Sequence, residues 1–353
     1  RTITIRGVIE GQEKEEKVTK ISVGTESPED ERRLGIVYTT ATESSITTRP
    51  FLAIETLINH EKSVDYVNAI NDSVQVDILW KSNNTERVND AVIEVKLKGD
   101  VLDEYSLYAT GGGFYRSLDN TIIWNRVGTQ ELASIEPGAK GAVSFSFSPT
   151  SPGVGTTRVM KNPQIIFEVN ARATRSTDSS ISGNIMTSVT RSIKFMTDIR
   201  LAVGGEFFSG PFKNTGELPP KADRETTYTI SMSAKNSTSN VSNTTINTTL
   251  PIYVKWLGKV YPDGEDITYN EVSSEVVWKA GRIPSGGARD ASFQISFRPS
   301  VTQINTEPKL TGDIILRATD DFTKREVTDS RGPVTTKLTN DLQVGQNQST
   351  VIK

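Results

Sequence analysis

The chain has 353 residues, with 40 basic and 43 acidic side chains giving a net charge of −3, one histidine and no cysteine. That length fits about two domains. The near-balance of charge argues against nucleic acid or anionic lipid as a partner, the lack of cysteine excludes a disulfide framework, and no run approaches the ~18 apolar residues of a membrane-spanning helix.

In chain order, Thr2-Ile3-Thr4-Ile5-Arg6 alternates as a strand and is followed by the charged run Glu13–Lys17, much as Ile314–Arg317 is followed by Asp320–Glu326. Residues 1–49 are therefore expected to hold the terminal strands of a preceding sandwich plus a linker. A lone strand is unstable by itself. Thr2, Ile3, Thr4, Ile5 and Arg6 are thus the candidate strand-addition segment, pairing with the first full unit, a neighbouring molecule or residues outside the chain. The first unit, 50–197, opens on Phe51–Ile54 and continues through Val74/Val76/Ile78/Trp80, Ala91–Leu97 and Val143/Phe145/Phe147. The second, 198–353, opens on Ile199–Val203 and continues through Tyr228/Ile230/Met232 and Phe293/Ile295/Phe297. Alternation of period two buries one face of each strand and wets the other. Turn pairs such as Pro137-Gly138, Asp263-Gly264 and Gly286-Gly287 separate the strands, and no long segment carries a helical apolar stripe. The expected class is all-β, with tandem antiparallel sandwiches.

The two units say related things. Ile122-Ile123-Trp124 recurs as Val276-Val277-Trp278, Phe145-Ser146-Phe147-Ser148-Pro149 as Ile295-Ser296-Phe297-Arg298-Pro299, and Arg172-Ala173-Thr174 as Arg317-Ala318-Thr319, in the same order. A repeat this long is a whole domain rather than a solenoid unit of about 20–50 residues. Duplication of position makes Trp124 and Trp278 core residues rather than sugar platforms. Trp256, beside Lys255, and Tyr115, after Gly111-Gly112-Gly113, are the candidate exposed ligand contacts.

The segment 226–258 followed by 276–287 resembles the conserved-repeat Ig-like domain of bacterial and archaeal cell-surface proteins. Tyr228/Ile230, Asn236, Leu250-Pro251, Val254, Trp278 and Gly281 stand at that family's strand, turn and Leu-Pro positions. Asn247-Thr248-Thr249 stands where the family usually has Asp, and the first unit has Leu97-Lys98-Gly99-Asp100 in place of Leu-Pro. The layout is also similar to long envelope proteins of candidate-phyla bacteria. The resemblance implies Ig-like sandwiches, export to the cell surface and no enzymatic activity.

Catalytic chemistry finds little footing. One histidine, His60 in a polar run, and no cysteine exclude Cys-His dyads and zinc sites built from several such ligands. No phosphate-binding loop is present, and no catalytic, cofactor or metal residues are assigned. Calcium is left open at the acidic turns Asp320-Asp321 with Asp329 and Asp263-Gly264-Glu265-Asp266, although neither follows EF-hand spacing. Seven sequons, four of them at Asn236, Asn240, Asn243 and Asn247, fit chance in a Ser/Thr/Asn-rich chain. The expected function is a non-enzymatic, extracellular structural protein, a section of a longer envelope array such as a surface layer or stalk. Its partners would be itself, a neighbouring envelope protein or a surface glycan, with no membrane insertion within this chain. The alternatives are an adhesin or carbohydrate-binding module, and an accessory region of a secreted hydrolase.

Overall fold

The structure, a computed structural model, describes residues 16–27, 34–46, 50–150, 160–175 and 184–353. The segment Thr2–Arg6 lies outside them. Strands β1 (Glu16–Glu26) and β2 (Leu34–Ile46) form an antiparallel hairpin in the register Lys17↔Ser45 to Val23↔Thr39.

The first sandwich contains β3 (Leu52–Ile58), β4 (Asp65–Ala69), β5 (Val74–Ser82), β6 (Val88–Lys98), β7 (Tyr108–Ala109), β8 (Phe114–Arg116), β9 (Thr121–Trp124), β10 (Ser134–Ile135), β11 (Lys140–Phe147), β12 (Gln164–Arg175) and β13 (Asn184–Met196). One sheet runs β4-β13-β12-β6-β9-β8, with β10 also on β6, and the other runs β3-β5-β11-β7. Alternation decides which side chains enter the core. On β5, Val74, Val76, Ile78 and Trp80 are buried while Gln75, Lys81 and Asp77 face outward or sit at the margin. They meet Phe145 and Phe147 of β11, and Val95 and Leu97 of β6 with Phe167 and Val169 of β12. One pair departs from the antiparallel expectation: β4 runs parallel to β13, from Ser192↔Asp65 to Met196↔Ala69. The chain leaves β3 through a turn with Asn59 at φ 47° and His60 at φ 68°. It then changes sheets, which lets β4 lie alongside β13 in the same direction.

The second sandwich contains β14 (Ile199–Glu206), β15 (Thr226–Asn236), β16 (Val241–Thr249), β17 (Val254–Tyr261), β18 (Ile267–Asn270), β19 (Glu275–Ile283), β20 (Ala288–Phe297), β21 (Ile314–Asp320) and β22 (Glu326–Arg331). Its sheets run β14-β15-β20-β17 and β18-β19-β16-β21-β22. Strand for strand this is the order β3-β5-β11-β7 and β8-β9-β6-β12-β13 of the first. The recurring sequence segments fall on corresponding strands. Trp124 on β9 lies opposite Ile93 of β6, and Trp278 on β19 lies opposite Ile246 of β16. Both indoles are fully buried. Trp124 Nε1 donates to the Thr110 carbonyl at 2.6 Å, and Trp278 Nε1 donates to the Glu265 carboxylate at 2.8 Å. Each therefore fills its core without an orphaned N–H, as the duplicated position predicts.

The free side of β14 is sealed by side chains from other elements. Asp329 accepts from Leu201 N at 2.7 Å, and the Asn340 amide donates to the Val203 carbonyl at 3.1 Å. One oxygen of Asp341 accepts from the backbone N–H groups of Phe207, Phe208 and Ser209. Asn340 and Asp341 belong to a C-terminal strap that folds back on the sandwich and buries Leu338 and Val351 in its core. The strap closes with Ile352 N to the Pro220 carbonyl and Ala222 N to the Ile352 carbonyl, both 2.9 Å.

Only Thr197 and Asp198 separate β13 from β14. Thr197 N donates to the fully buried carboxylate of Asp320 at 2.8 Å. Its hydroxyl donates to Asn236 Oδ1 at 2.7 Å and accepts from Thr238 N at 2.9 Å.

Candidate interaction surface

Between β6 and β9 the chain leaves one sheet, pairs briefly with the other as β7, and returns as β8. Between β16 and β19 it makes the same excursion through β17 and β18. The two crossings lie at the same edge of their sandwiches, and they carry the two candidate aromatic contacts. Tyr115 on β8 lies opposite Ile122, and Tyr269 on β18 lies opposite Val276, so the two tyrosines are equivalent. Tyr115 is half-buried against the core, and its hydroxyl donates to Asn120 Oδ1 at 2.7 Å. Burial, with the neighbouring Glu104 and Asp119 carboxylates, holds its phenol above the ordinary value.

Trp256 on β17 lies opposite Ile295, the position that Ala109 of β7 takes opposite Phe145 in the first sandwich. Its half-buried indole stacks along Tyr269 at 5.8 Å between centroids and 17° between planes, and packs on Phe293 at 5.1 Å and 40°. Two rings of the protein already lie against it, which limits the face left for a sugar. Ala109 provides no such ring beside Tyr115. Around these residues stand aromatics that sequence reasoning did not single out: Tyr105, Tyr108 and Phe114 in the first sandwich and Tyr261 in the second, all exposed. Their signal was their place in the segments between matched strands, visible only once the pairing is known.

The hairpin β1–β2 is a second exposed surface. It exposes Val18 at 64%, Ile36 at 64% and Tyr38 at 70%, and it belongs to a sheet of two strands among the described residues.

In the acidic turns considered for calcium, Asp320, Asp321, Asp329 and Glu265 are bonded to protein donors. Asp320 accepts from Thr197, Phe322 and Thr323 N–H groups, Asp321 from the Ser242 hydroxyl, and Asp329 from Leu201 N and Arg331. Glu265 holds Trp278 and Arg289. Among the described residues no group of three or more His, Cys, Asp or Glu is arranged to hold a metal ion. His60 is exposed, with Nδ1 at 3.4 Å from Asp77. The Asn236 sequon amide is buried and donates to the Ser239, Ile283 and Pro284 carbonyls, so it serves the turn after β15.

No family model and no curated relative matches the sequence. Solved structures do. The C-terminal domain of the Streptococcus pyogenes antigen I/II-family protein AspA matches at 9% identity and a TM-score of 0.31, over 80% of this chain and 96% of that one. The C-terminal domain of the Streptococcus agalactiae AgI/II polypeptide BspA matches at 11% identity and 0.27, over 80% and 99%. The major pilin subunit BcpA of Bacillus cereus matches at 9% identity and 0.31, over 88% and 73%. Tandem β-sandwiches of one strand order are seen directly in the sheets described above.

Proposed function

We propose that the chain is a non-enzymatic, exported structural protein of the cell surface, in which units 50–197 and 198–353 are copies of one Ig-like repeat that space or assemble a longer envelope array. The observation that carries this reading is the junction. Two sandwiches of one strand order are joined by two residues, and Thr197 between them is bonded on all sides to the second sandwich. Such a joint suits a spacer, whereas a flexible linker would suit independent modules. The resemblance of 226–258 and 276–287 to a surface-repeat family adds support. The experiment is antibody labelling of intact source cells, together with small-angle scattering of the purified chain. Surface labelling and a single narrow distribution of extended shapes are expected. Labelling only after lysis would remove the surface reading, and a broad distribution of inter-sandwich distances would remove the spacer reading.

A second reading, adhesion to a glycan or protein, is favoured by one observation: Tyr115 and Trp256 share the equivalent crossing edge with Tyr105, Tyr108, Phe114 and Tyr261. A glycan array tests it, with loss of any signal on Tyr115→Ala or Trp256→Ala as the required control.

A further inference from the structure

The two sandwiches treat the outer face of their four-stranded sheet differently. The recurring segments match Phe145 with Ile295, so Lys140 and Ala142 of β11 correspond to Asp290 and Ser292 of β20. In the first sandwich the outward rows across the sheet read Ala53, Lys81, Lys140 and Glu55, Leu79, Ala142. Long side chains stand on this face, and Lys62 pairs with Glu55 at 2.7 Å. In the second sandwich the same rows read Ala202, Ser233, Asp290 and Gly204, Ser231, Ser292. Tyr261 of β17 is the register partner of Ser292 and projects from the same face, half-exposed.

Half of this second face is covered. The connection from β14 to β15 lies across it, and the polar side chains beneath are bonded to that connection. Asn214 donates to the Thr229 hydroxyl at 3.0 Å, Gln294 donates to Asn214 at 2.9 Å, and the Ser296 hydroxyl donates to Glu225. The other half is an open groove of 270 Å³. Its floor is Gly204, Ser231, Ser233 and Ser292, and its sides are Asp290 and Asn340. A Cβ on Gly204 would lie 2.7 Å from the Asn340 amide nitrogen, so glycine is what lets the strap reach the rim. Ser231 is bonded to Glu206 at 3.0 Å. Ser292 is only 7% exposed, yet among the described residues its hydroxyl has no hydrogen-bond partner. The Ser233 hydroxyl and the Asp290 carboxylate have none either. Polar groups set this deep and left unmatched ask for a polar occupant.

We infer that this groove binds a single pyranose ring of a neutral glycan. Asp290 accepts from sugar hydroxyls, Ser233 and Ser292 both donate and accept, and the small floor admits a flat ring. The exposed Tyr261 ring supplies an apolar face beside them. No Lys or Arg lines the groove, so an anion finds no counter-charge. An apolar ligand would leave Asp290 and Ser292 desolvated and unpaired. The volume sits just under the ~300 Å³ at which ligand pockets begin, which suits one ring rather than a large ligand. This site is separate from the Tyr115 and Trp256 crossing edge.

Saturation-transfer NMR on the 353-residue chain tests it, with the methyl glycosides of glucose, galactose, mannose and N-acetylglucosamine as probes. At least one should bind. Asp290→Ala removes the charged acceptor and Ser233→Phe fills the groove, and each should weaken binding at least about tenfold. Tyr261→Ala, at an exposed position that leaves the fold undisturbed, should weaken it too. Lys81→Ala, in the corresponding row of the first sandwich, should change nothing. Melting curves accompany each variant, and Tyr261→Ala decides if either groove variant melts early. Silence from all four probes would overturn the inference. Binding that survives the groove variants but is lost on Trp256→Ala would also overturn it, placing the sugar at the crossing edge. Tetralysine bound in place of every glycoside, and released by Asp290→Ala, would make the groove a basic-peptide site and overturn it as well. None of these outcomes bears on surface labelling or scattering, so this inference and the spacer reading fail separately.

Discussion

The first sandwich extends its larger sheet past β13 with a further strand, β4, laid parallel to β13. The second has no strand beyond β22 among the described residues, and it caps the edge of β14 with three side chains and a strap that folds back from its own C-terminal region. The strand order is otherwise the same. The difference teaches that a sheet edge needs its backbone donors and acceptors satisfied and its core covered, and that a strand or a row of carboxylates and amides can do so. Sequence is free to drift at the seal while it holds the core, which is where the recurring segments lie.

The strongest test of the comparison is in the cores. Trp124→Ala and Trp278→Ala should each cost about 3–5 kcal/mol, and each should shift only the unfolding transition of its own sandwich in calorimetry. If Trp124→Ala lowers both transitions equally, the sandwiches unfold as one unit and the comparison breaks down.

Next comes the seal. Asp341→Ala should destabilise the second sandwich by about 2–3 kcal/mol, because it strips several backbone N–H groups of a charged acceptor. The first transition should stay in place. The same carboxylate gives the seal a pH signature. Burial pushes the Asp341 carboxyl up, but the N–H groups of Phe207, Phe208, Ser209 and Gln343 outweigh it and hold it below its ordinary value. A carboxyl depressed in the folded state adds stability that is fully present above its unfolded pKa of about 3.9 and is lost as pH falls through the folded value. The second sandwich should therefore lose this increment in acid below about pH 4. Asp341→Asn should flatten that part of its stability profile while leaving the first sandwich's profile untouched.

The crossing edge gives smaller effects. Trp256→Ala removes a half-buried ring and should cost roughly 1–2 kcal/mol in the second sandwich, below the cost at the buried tryptophans. A cost equal to that of Trp278→Ala would make Trp256 a full core residue and end its candidacy as a contact. Tyr115→Phe should cost only about 0.5–1.5 kcal/mol, the net worth of its hydrogen bond to Asn120, read by urea denaturation of the first sandwich.

The all-β class was legible because Val74–Trp80 and Phe293–Phe297 alternate without ambiguity, and the burial of Trp124 and Trp278 was legible because the same residue stands beside the same apolar pair twice. Three features were not. Hairpin β1–β2 mixes Lys, Thr and Ser with Val, Ile and Tyr on both faces, so neither face announces a core. Strand β4 is five residues long, and its parallel pairing depends on β13, far along the chain. The strap lacks periodicity altogether. It is held by Asp341 and by the burial of Leu338 and Val351, which are tertiary facts. At the candidate contacts, the chain offered Trp256 and Tyr115 as separate residues. Only the pairing register reveals that Tyr115 corresponds to Tyr269, and that Trp256 rests on that second tyrosine.

The two-residue passage from β13 to β14 has a mechanical meaning. Thr197 and Asp198 can span no more than about 7 Å when fully drawn out, so the joint contains no slack to take up a pull. Tension entering along β13 reaches β14 at once, and the bonds from Thr197 to Asp320, Asn236 and Thr238 brace the point where it enters. A tether built this way would transmit a tug at one end to the other with little lengthening until a hydrogen-bonded strand is itself torn from its sheet.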